Sequence, residues 1–525
     1  VAAEQALPGE IMQIHQTPFY YKQDGYKPFS GQKEYPKLYI NGEWTAPTSG
    51  RTYEVFNPAT GARIGSAPEG NAQDCESAIA AARHAFDKGP WPRLSMQERY
   101  AYVIRMIDWL EKRAEQLSGM TVAESGAPIP IANGMHVGLT LDQMRATAES
   151  AKLLKPYMLE PTVTQMPASM GGQKVIGNYL MVYEPVGVAS LLPAYNAPLL
   201  LTGLKVVPAL MAGNTAIVKA PPQCPLQTLI FAEAAAAAEI PAGVLNFISG
   251  SAIEIGQILS SDPRVDLVSF TGSDMVGGKI MAQAAPTIKR VFLELGGKSA
   301  LIVREDADME LAAQVGLSST TVLAGQGCIL TTRHLVHQSV YEKYLERITA
   351  HAKSLVVGDP ADPRTNVGPL ISAAQRDRSE RFVKRALERG GQIVFGGKRP
   401  ENLPKGFFFE PTLIKNVSND WEICQEEIFG PVAVVMPYKD DEEAVNIAND
   451  SVYGLSGHII SRDIGQAVEL AGRIRTGEVY INGGSLAMSP FQPFGGAKRS
   501  GFGKQGGEEG LLEYLTQKAI IFKGA

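Results

Sequence analysis

The chain is 525 residues long, 20% of them charged, with a formal net charge of -5. That length predicts roughly two to four domains with substantial cores. The mild net acidity gives no general attraction to nucleic acid or to an anionic membrane, so small molecules and protein partners remain.

Residues 1–36 are rich in Gln, Pro, Gly, Lys and Tyr without periodicity and read as an N-terminal arm. The first residues carry two acids and no basic stretch, which argues against a secretory signal. LYINGEW (38–44) alternates like a hairpin, and residues 75–89 and 97–120 carry helical spacing. QKVIGNYLMVYEP (173–185) reads as a strand detached from its neighbours in the chain. The run ASLLPAYNAPLLL (189–201) is too short and too broken by Pro and Asn to span a bilayer.

From residue 187 a regular alternation begins. Strands VASLLPA, TAIVKA, VLNFISG, VDLVSFTG and KRVFLELGG are separated by helical stretches, which implies a parallel sheet covered on both faces. Ligands of such sheets bind beyond the carboxyl ends of the strands. A second alternation runs from SALIVRE (299–305) through a helix over YEKYLERITAHAKSL to the strands QIVFGG and VAVVMPY. It predicts a second α/β domain. The terminal YLTQKAIIFK (514–523) reads as another detached strand, and with 173–185 it suggests a sheet that pairs between subunits.

Cys75, Cys224, Cys328 and Cys424 lie far apart, with no CxxC and no Cys/His spacing suited to zinc. A reducing, cytoplasmic setting is expected, and no metal. His334 and His337 form a pair with no third ligand nearby. Cys328 stands in GQGCILTTR, where glycines permit a close approach of backbone to ligand; the thiol is either presented to a substrate or packed and inert.

Four further positions complete a chemistry for a presented thiol. Glu294 ends the apolar strand of RVFLELGGKS, where burial raises a carboxyl pKa toward that of a general base, or it caps backbone amides. Asn196, between the prolines of PAYNAP, either donates to a developing oxyanion or is a simple turn residue. SFTGSDMVGG leads from strand to helix, a start that can hold a pyrophosphate with the Ser273 hydroxyl. Lys219 ends TAIVK, where such folds contact ribose or where a lysine is merely solvated.

Taken together, GQGC, ELGG, PxxN, VK and FTGSxxVG resemble the aldehyde dehydrogenase superfamily. VGDPADPRTNVGPLI, EPTL, QEEIFGPV, VYING and PFGGAKRSGFGK resemble it in the same order over about residues 37–525. The resemblance implies an α/β fold with a Rossmann-type dinucleotide-binding domain (37–165 and 187–296), an α/β catalytic domain (297–504) and a small β oligomerisation domain (166–186 and 505–525). It implies an enzyme oxidising an aldehyde with NAD or NADP. Cys328 would be the nucleophile, and its N–H and Asn196 would hold the oxyanion. Oxidation would leave a thioester on Cys328 that water, activated by Glu294, hydrolyses. Lys219 and Ser273 would touch ribose and pyrophosphate, and Gly272 and Gly277 would shape that loop. Glu427 and Phe429 would bind the nicotinamide ribose and brace the ring, while Gly325 and Gly327 would make room for cofactor and substrate. A homodimer or homotetramer is implied, with no nucleic-acid or membrane partner.

The departures are informative. Where the family often has an acid three residues after VK, this chain has Pro222, which admits NADP beside NAD. The aromatic pair around the oxyanion Asn becomes Tyr195 and Ala197, leaving room in the substrate tunnel for a bulky apolar or aromatic aldehyde. Lys504-Gln505 replaces the family's Arg-Glu without a derived consequence. The rivals are a CoA-acylating aldehyde dehydrogenase, which Glu294 argues against, and a cysteine hydrolase using His334 or His337 as base.

Overall fold

The computed structural model describes residues 26–484 and 489–523, so most of the expected arm, residues 1–25, lies outside the described residues. The alternating segment forms an eight-stranded sheet. Its five central strands are Arg290–Glu294, Leu267–Thr271, Val188–Leu192, Thr215–Lys219 and Leu245–Ile248, in that spatial order and all parallel. Nearly every residue in them is buried, as expected of strands covered on both faces. Chain order reverses between Val188–Leu192 and Leu267–Thr271. That makes the gap between their carboxyl ends the topological switch point, where such sheets bind ligands. Antiparallel strands Leu38–Ile40 and Gly501–Phe502 close the two sides.

Local chemistry sets the turns. The helix Pro198–Ala212 opens with proline at its first turn and ends at Gly213, φ +94°. The helix Leu226–Ala237 has no cap of its own; the buried Glu124 carboxylate accepts the Leu226 and Gln227 N–H groups at 2.7 and 3.0 Å. The helix expected over 97–120 is two, Met96–Glu111 and Ala114–Ser125. Between them Arg113 leaves the helical region (φ -116°, ψ 13°) and lays its guanidinium 3.6 Å from the Trp109 ring centre.

The second unit is a seven-stranded sheet in the order Gln392–Phe395, Thr412–Lys415, Val432–Tyr438, Arg333–His337, Ala300–Val303, Gly457–Ile460 and Tyr480–Ile481. Three antiparallel strands, Leu515–Lys523, Lys174–Pro185 and Tyr157–Gln165, form a separate sheet. The last of these has no counterpart in the sequence reading. Pro161 interrupts it, and its register shifts between Leu159 and Thr162, so the pattern of a regular strand is missing. No described helix is long and apolar enough to cross a membrane.

Arg333 is the clearest single support of the second unit. Buried at 1% exposure, it donates to the carbonyl oxygens of Lys298, Ile447 and Ala448 at 2.8 Å and to Asn419 Oδ1 at 2.9 Å. Its replacement by Met strands these acceptors. The urea midpoint should fall by the equivalent of about 3–5 kcal/mol at unchanged m-value, and a loss below about 1 kcal/mol would contradict the assignment.

Candidate active site

Strand Arg290–Glu294 delivers Glu294 opposite Thr271 on one side and Gly501 on the other. The chain then makes two close crossings. A side chain at Gly296 would collide with the Glu427 carboxylate, and one at Gly297 would come within 2.5 Å of the Cys328 carbonyl oxygen. The Gly297 N–H donates to Glu427 Oε1 at 3.0 Å. Glycine at 297 lets the segments bearing Glu294 and Cys328 meet, and glycine at 296 leaves the Glu427 carboxylate its place between them.

The loop that carries Cys328 turns earlier than GQG. Leu323, Ala324 and Gly325 are all left-handed, φ 53°, 52° and 75°, a conformation that costs the two non-glycine residues free energy. Gln326 holds the turn: its amide donates to the Leu323 carbonyl at 3.0 Å and accepts the Ile371 N–H at 3.1 Å. The structure adds a packing reason for Gly325 and Gly327 to the expected room for ligand. A methyl at Gly325 would strike the Gly430 carbonyl, and one at Gly327 would meet Leu330 at 2.9 Å. These glycines serve packing of the loop against residues 430–431 and against itself.

Cys328 is half-buried, whereas Cys75, Cys224 and Cys424 are fully buried. Burial, then the charges of Glu427 and Glu294, push its thiol up to about 12, opposed by the N–H groups of Cys328 and Ile329. A shift in that direction favours the neutral thiol over the thiolate. Asn196 comes after strand Val188–Leu192 at the switch point, and its amide donates to the Gln326 carbonyl at 3.1 Å. That bond uses one amide hydrogen and aims the group at the Cys328 loop. Tyr195 meets Phe429 edge-on at 5.9 Å, and Ala197 is buried at the start of the following helix.

Glu294 is buried, and neither carboxylate oxygen has a hydrogen-bond partner. Burial raises its pKa well above the usual range, while Lys205 and Lys504 partly oppose the shift. It therefore does not cap backbone amides. Lys205, a lone cation in an apolar helix, donates to Ser269 Oγ at 2.8 Å, and burial brings its amine down to about 7. Sequence reading passed over it, though a lysine inside PLLLTGLKVV is itself the signal. It also missed Gln375 and Arg378. Gln375 donates to the Ile428 and Phe429 carbonyls at 2.9 and 2.7 Å, and Arg378 to the Glu427 carbonyl at 2.7 Å. Together they hold the turn in which Phe429 is left-handed at φ 58°.

The residues expected to hold a dinucleotide lie along the same sheet edge. Ser273 caps the helix Asp274–Ala284, accepting the Val276 N–H at 3.4 Å, and Gly277 packs that helix on Leu295. A methyl at Gly272 would collide with the Phe270 ring. Lys219 ends its strand with its amine donating to the Ala220 carbonyl at 3.3 Å, and burial lowers its pKa to about 8. Glu427 is raised to about 7 by burial, against the Gly297 N–H and the Lys298 and Arg378 charges. A helix start for the pyrophosphate, a sparsely bonded lysine for ribose and a carboxylate beside Cys328 fit a nicotinamide dinucleotide.

The hydrolase reading fails on geometry. His334 is buried, bonded to the Tyr344 hydroxyl at 2.9 Å and pushed down to about 3 by burial, and His337 bonds Ser339 and the Lys439 carbonyl. Among the described residues no group of three or more His, Cys, Asp or Glu could hold a metal ion.

Residues 44–520 match the Aldehyde dehydrogenase family. The chain is 36% identical to 3-succinoylsemialdehyde-pyridine dehydrogenase of a Pseudomonas species, with 93% of this chain and 99% of that protein covered. It is 35% identical to betaine aldehyde dehydrogenase of Bacillus subtilis, over 92% and 96% of the two chains. Among solved structures, a Mycobacterium tuberculosis aldehyde dehydrogenase complexed with NAD+ superposes with a TM-score of 0.87 at 40% identity, covering 94% of this chain and 98% of that one. The chain belongs to the aldehyde dehydrogenase family.

Proposed function

We propose that this enzyme oxidises an aldehyde to its carboxylic acid with NAD+, through a covalent adduct on Cys328. The observation that carries the reading is the double-glycine crossing, which puts the half-buried Cys328 thiol, an unpartnered carboxylate and the Glu427 carboxylate on touching segments. Relatives of known structure bind NAD+, and the residues along the sheet edge suit it. When bound, the oxidised nicotinamide accepts the hydride from the substrate carbon.

The protein's own groups do the rest. Cys328 Sγ attacks the carbonyl carbon, and its proton leaves; Glu294, whose charge already bears on that sulfur, is the acceptor at hand. The Asn196 amide and the Cys328 N–H hold the oxygen of the thiohemiacetal. Once oxidised, the thioester is opened by water, and Glu294 takes the proton of that water. A carboxyl with a raised pKa is suited to this, and it gives water rather than CoA as the acyl acceptor.

The eight-stranded unit takes the dinucleotide, the seven-stranded unit presents the thiol, and the three-stranded sheet joins copies into a homodimer or homotetramer. Exposed apolar residues on that sheet, Val163, Ile521 and Phe522 among them, favour association. The unpaired thiols fit a cytoplasmic setting. The small Ala197 beside Asn196 favours a bulky apolar or aromatic aldehyde, and one relative is named for a pyridine-bearing semialdehyde.

Formation of reduced nicotinamide, monitored by absorbance over short, long and aromatic aldehydes, tests the reading; Cys328→Ala should oxidise none. Glu294→Gln should lower turnover by about 10²–10⁴-fold and slow both formation and hydrolysis of the acyl adduct on Cys328, followed by mass spectrometry in a single turnover. Because the Glu294 pKa is raised, its basic form is lost as pH falls through that raised value. The turnover limb should therefore lie above the ordinary carboxylate range and vanish in the Gln variant. Ala197→Phe should raise KM for bulky aldehydes more than for small ones, and equal effects would refute the tunnel assignment.

A further inference from the structure

Position 222 carries no charge, yet the surface beside it does. The Cα of Lys219 is paired with that of Ile248, and the Ala220 N–H donates to the Ile248 carbonyl at 2.9 Å. Residues 220–222 and 249–251 therefore leave the sheet side by side. The loop 68–70 is stitched to the second of these segments. The Gly70 N–H donates to the Ser249 carbonyl at 2.9 Å, and the Ser249 hydroxyl to that of Pro68. Gly250 is left-handed at φ 150° and so close to Gly70 that an added methyl would meet its carbonyl oxygen at 2.9 Å. These bonds fix Glu69. Its Oε1 accepts both the N–H and the hydroxyl of Ser251, at 2.9 and 3.0 Å.

We propose that Glu69, held by Ser251 just past the strand that pairs with Lys219, is the acid that makes this chain prefer a nucleotide with a free ribose 2′-hydroxyl over one with a 2′-phosphate. The inference rests on the dinucleotide reading of this edge. An acceptor-only carboxylate next to Lys219 welcomes hydroxyl donors and repels a dianionic phosphate. Lys219 pairs with no carboxylate among the described residues, and Glu69 is the carboxylate whose charge bears on its amine. Other acids nearby are committed or displaced. Asp74 is buried and accepts the Thr48 and Asn71 N–H groups, while Glu254 belongs to the first turn of the helix Ile253–Ser261. The acid missing from one loop is thus supplied by another, far earlier in the chain.

The test is binding of NADH and of NADPH to the full-length protein by calorimetry at fixed ionic strength, with no aldehyde present. The wild type should favour NADH. Glu69→Gln, which can still accept from Ser251, should tighten NADPH by about tenfold or more and change NADH by less than about threefold. Pro222→Glu added to that variant should restore discrimination. A ratio unchanged in Glu69→Gln, a wild type without preference, or a shift produced by Glu254→Gln instead would overturn the proposal. If the wild type bound neither nucleotide, the dinucleotide reading itself would fall, and this inference with it.

Discussion

The site depends on the absence of two side chains. Between Glu294 and Ser299 the chain must leave one sheet and enter the other while passing against Glu427 on one side and the Cys328 carbonyl on the other. A Cβ at Gly297 would press on the Cys328 backbone, and one at Gly296 would displace the Glu427 carboxylate that the Gly297 N–H holds. Surrounding hydroxyls hold the crossing in place: Ser500 Oγ donates to the Gly296 carbonyl at 2.7 Å, and Ser456 Oγ to that of Ile329 at 2.6 Å. Both units thereby grip the same few residues, and relative movement of the two sheets would be felt directly at the thiol.

Around this crossing the protein keeps groups that stability alone would not retain. Glu294 lacks a partner for either oxygen, the buried Lys298 amine has none, and Lys205 relies on one hydroxyl. Leu323 and Ala324 hold left-handed backbone without the glycine that would relieve it. Each costs the fold free energy, and each lies where reacting atoms must be placed. Rigid surroundings make this sustainable. Gln326 ties the strained turn to Ile371 and, through its carbonyl, to Asn196, so the Cys328 loop and the Asn196 amide are held together.

Legibility in the sequence tracked the range of the interaction concerned. The five central strands and the helices between them were readable because their buried faces repeat locally. Cys328, Glu294 and Asn196 could be singled out as candidates by a glycine-rich loop, a strand end and a proline-flanked turn, and their roles came from the family resemblance. The features that escaped were set by distant partners. The packing requirement at Gly325 comes from Gly430, far along the chain, so no local pattern announces it. Gln375 and Arg378 look like ordinary polar residues of an amphipathic helix until their carbonyl partners at 427–429 are seen. Glu124 reaches across to cap a helix a hundred residues later, and strand Tyr157–Gln165 was masked by its own proline.

The electrostatics of the resting site arise from three acids sharing one dry region. Cys328, Glu427 and Glu294 each have a raised pKa for which burial is the first cause, and the charges of both carboxylates further disfavour a thiolate. Ionising all three at once would place like charges together where little water screens them. In the proposed reaction a neutral thiol avoids that penalty, so nucleophilicity is generated as the sulfur–carbon bond forms rather than stored beforehand. Proton loss and attack then belong to one event, and the group receiving the proton must be neutralised by it. Glu294 meets that condition: in taking the proton it removes one of the very charges that hold the thiol pKa up. The same carboxyl must shed its proton before it can serve water, and the nearby amines of Lys205 and Lys504, which favour its ionised form, act in that direction.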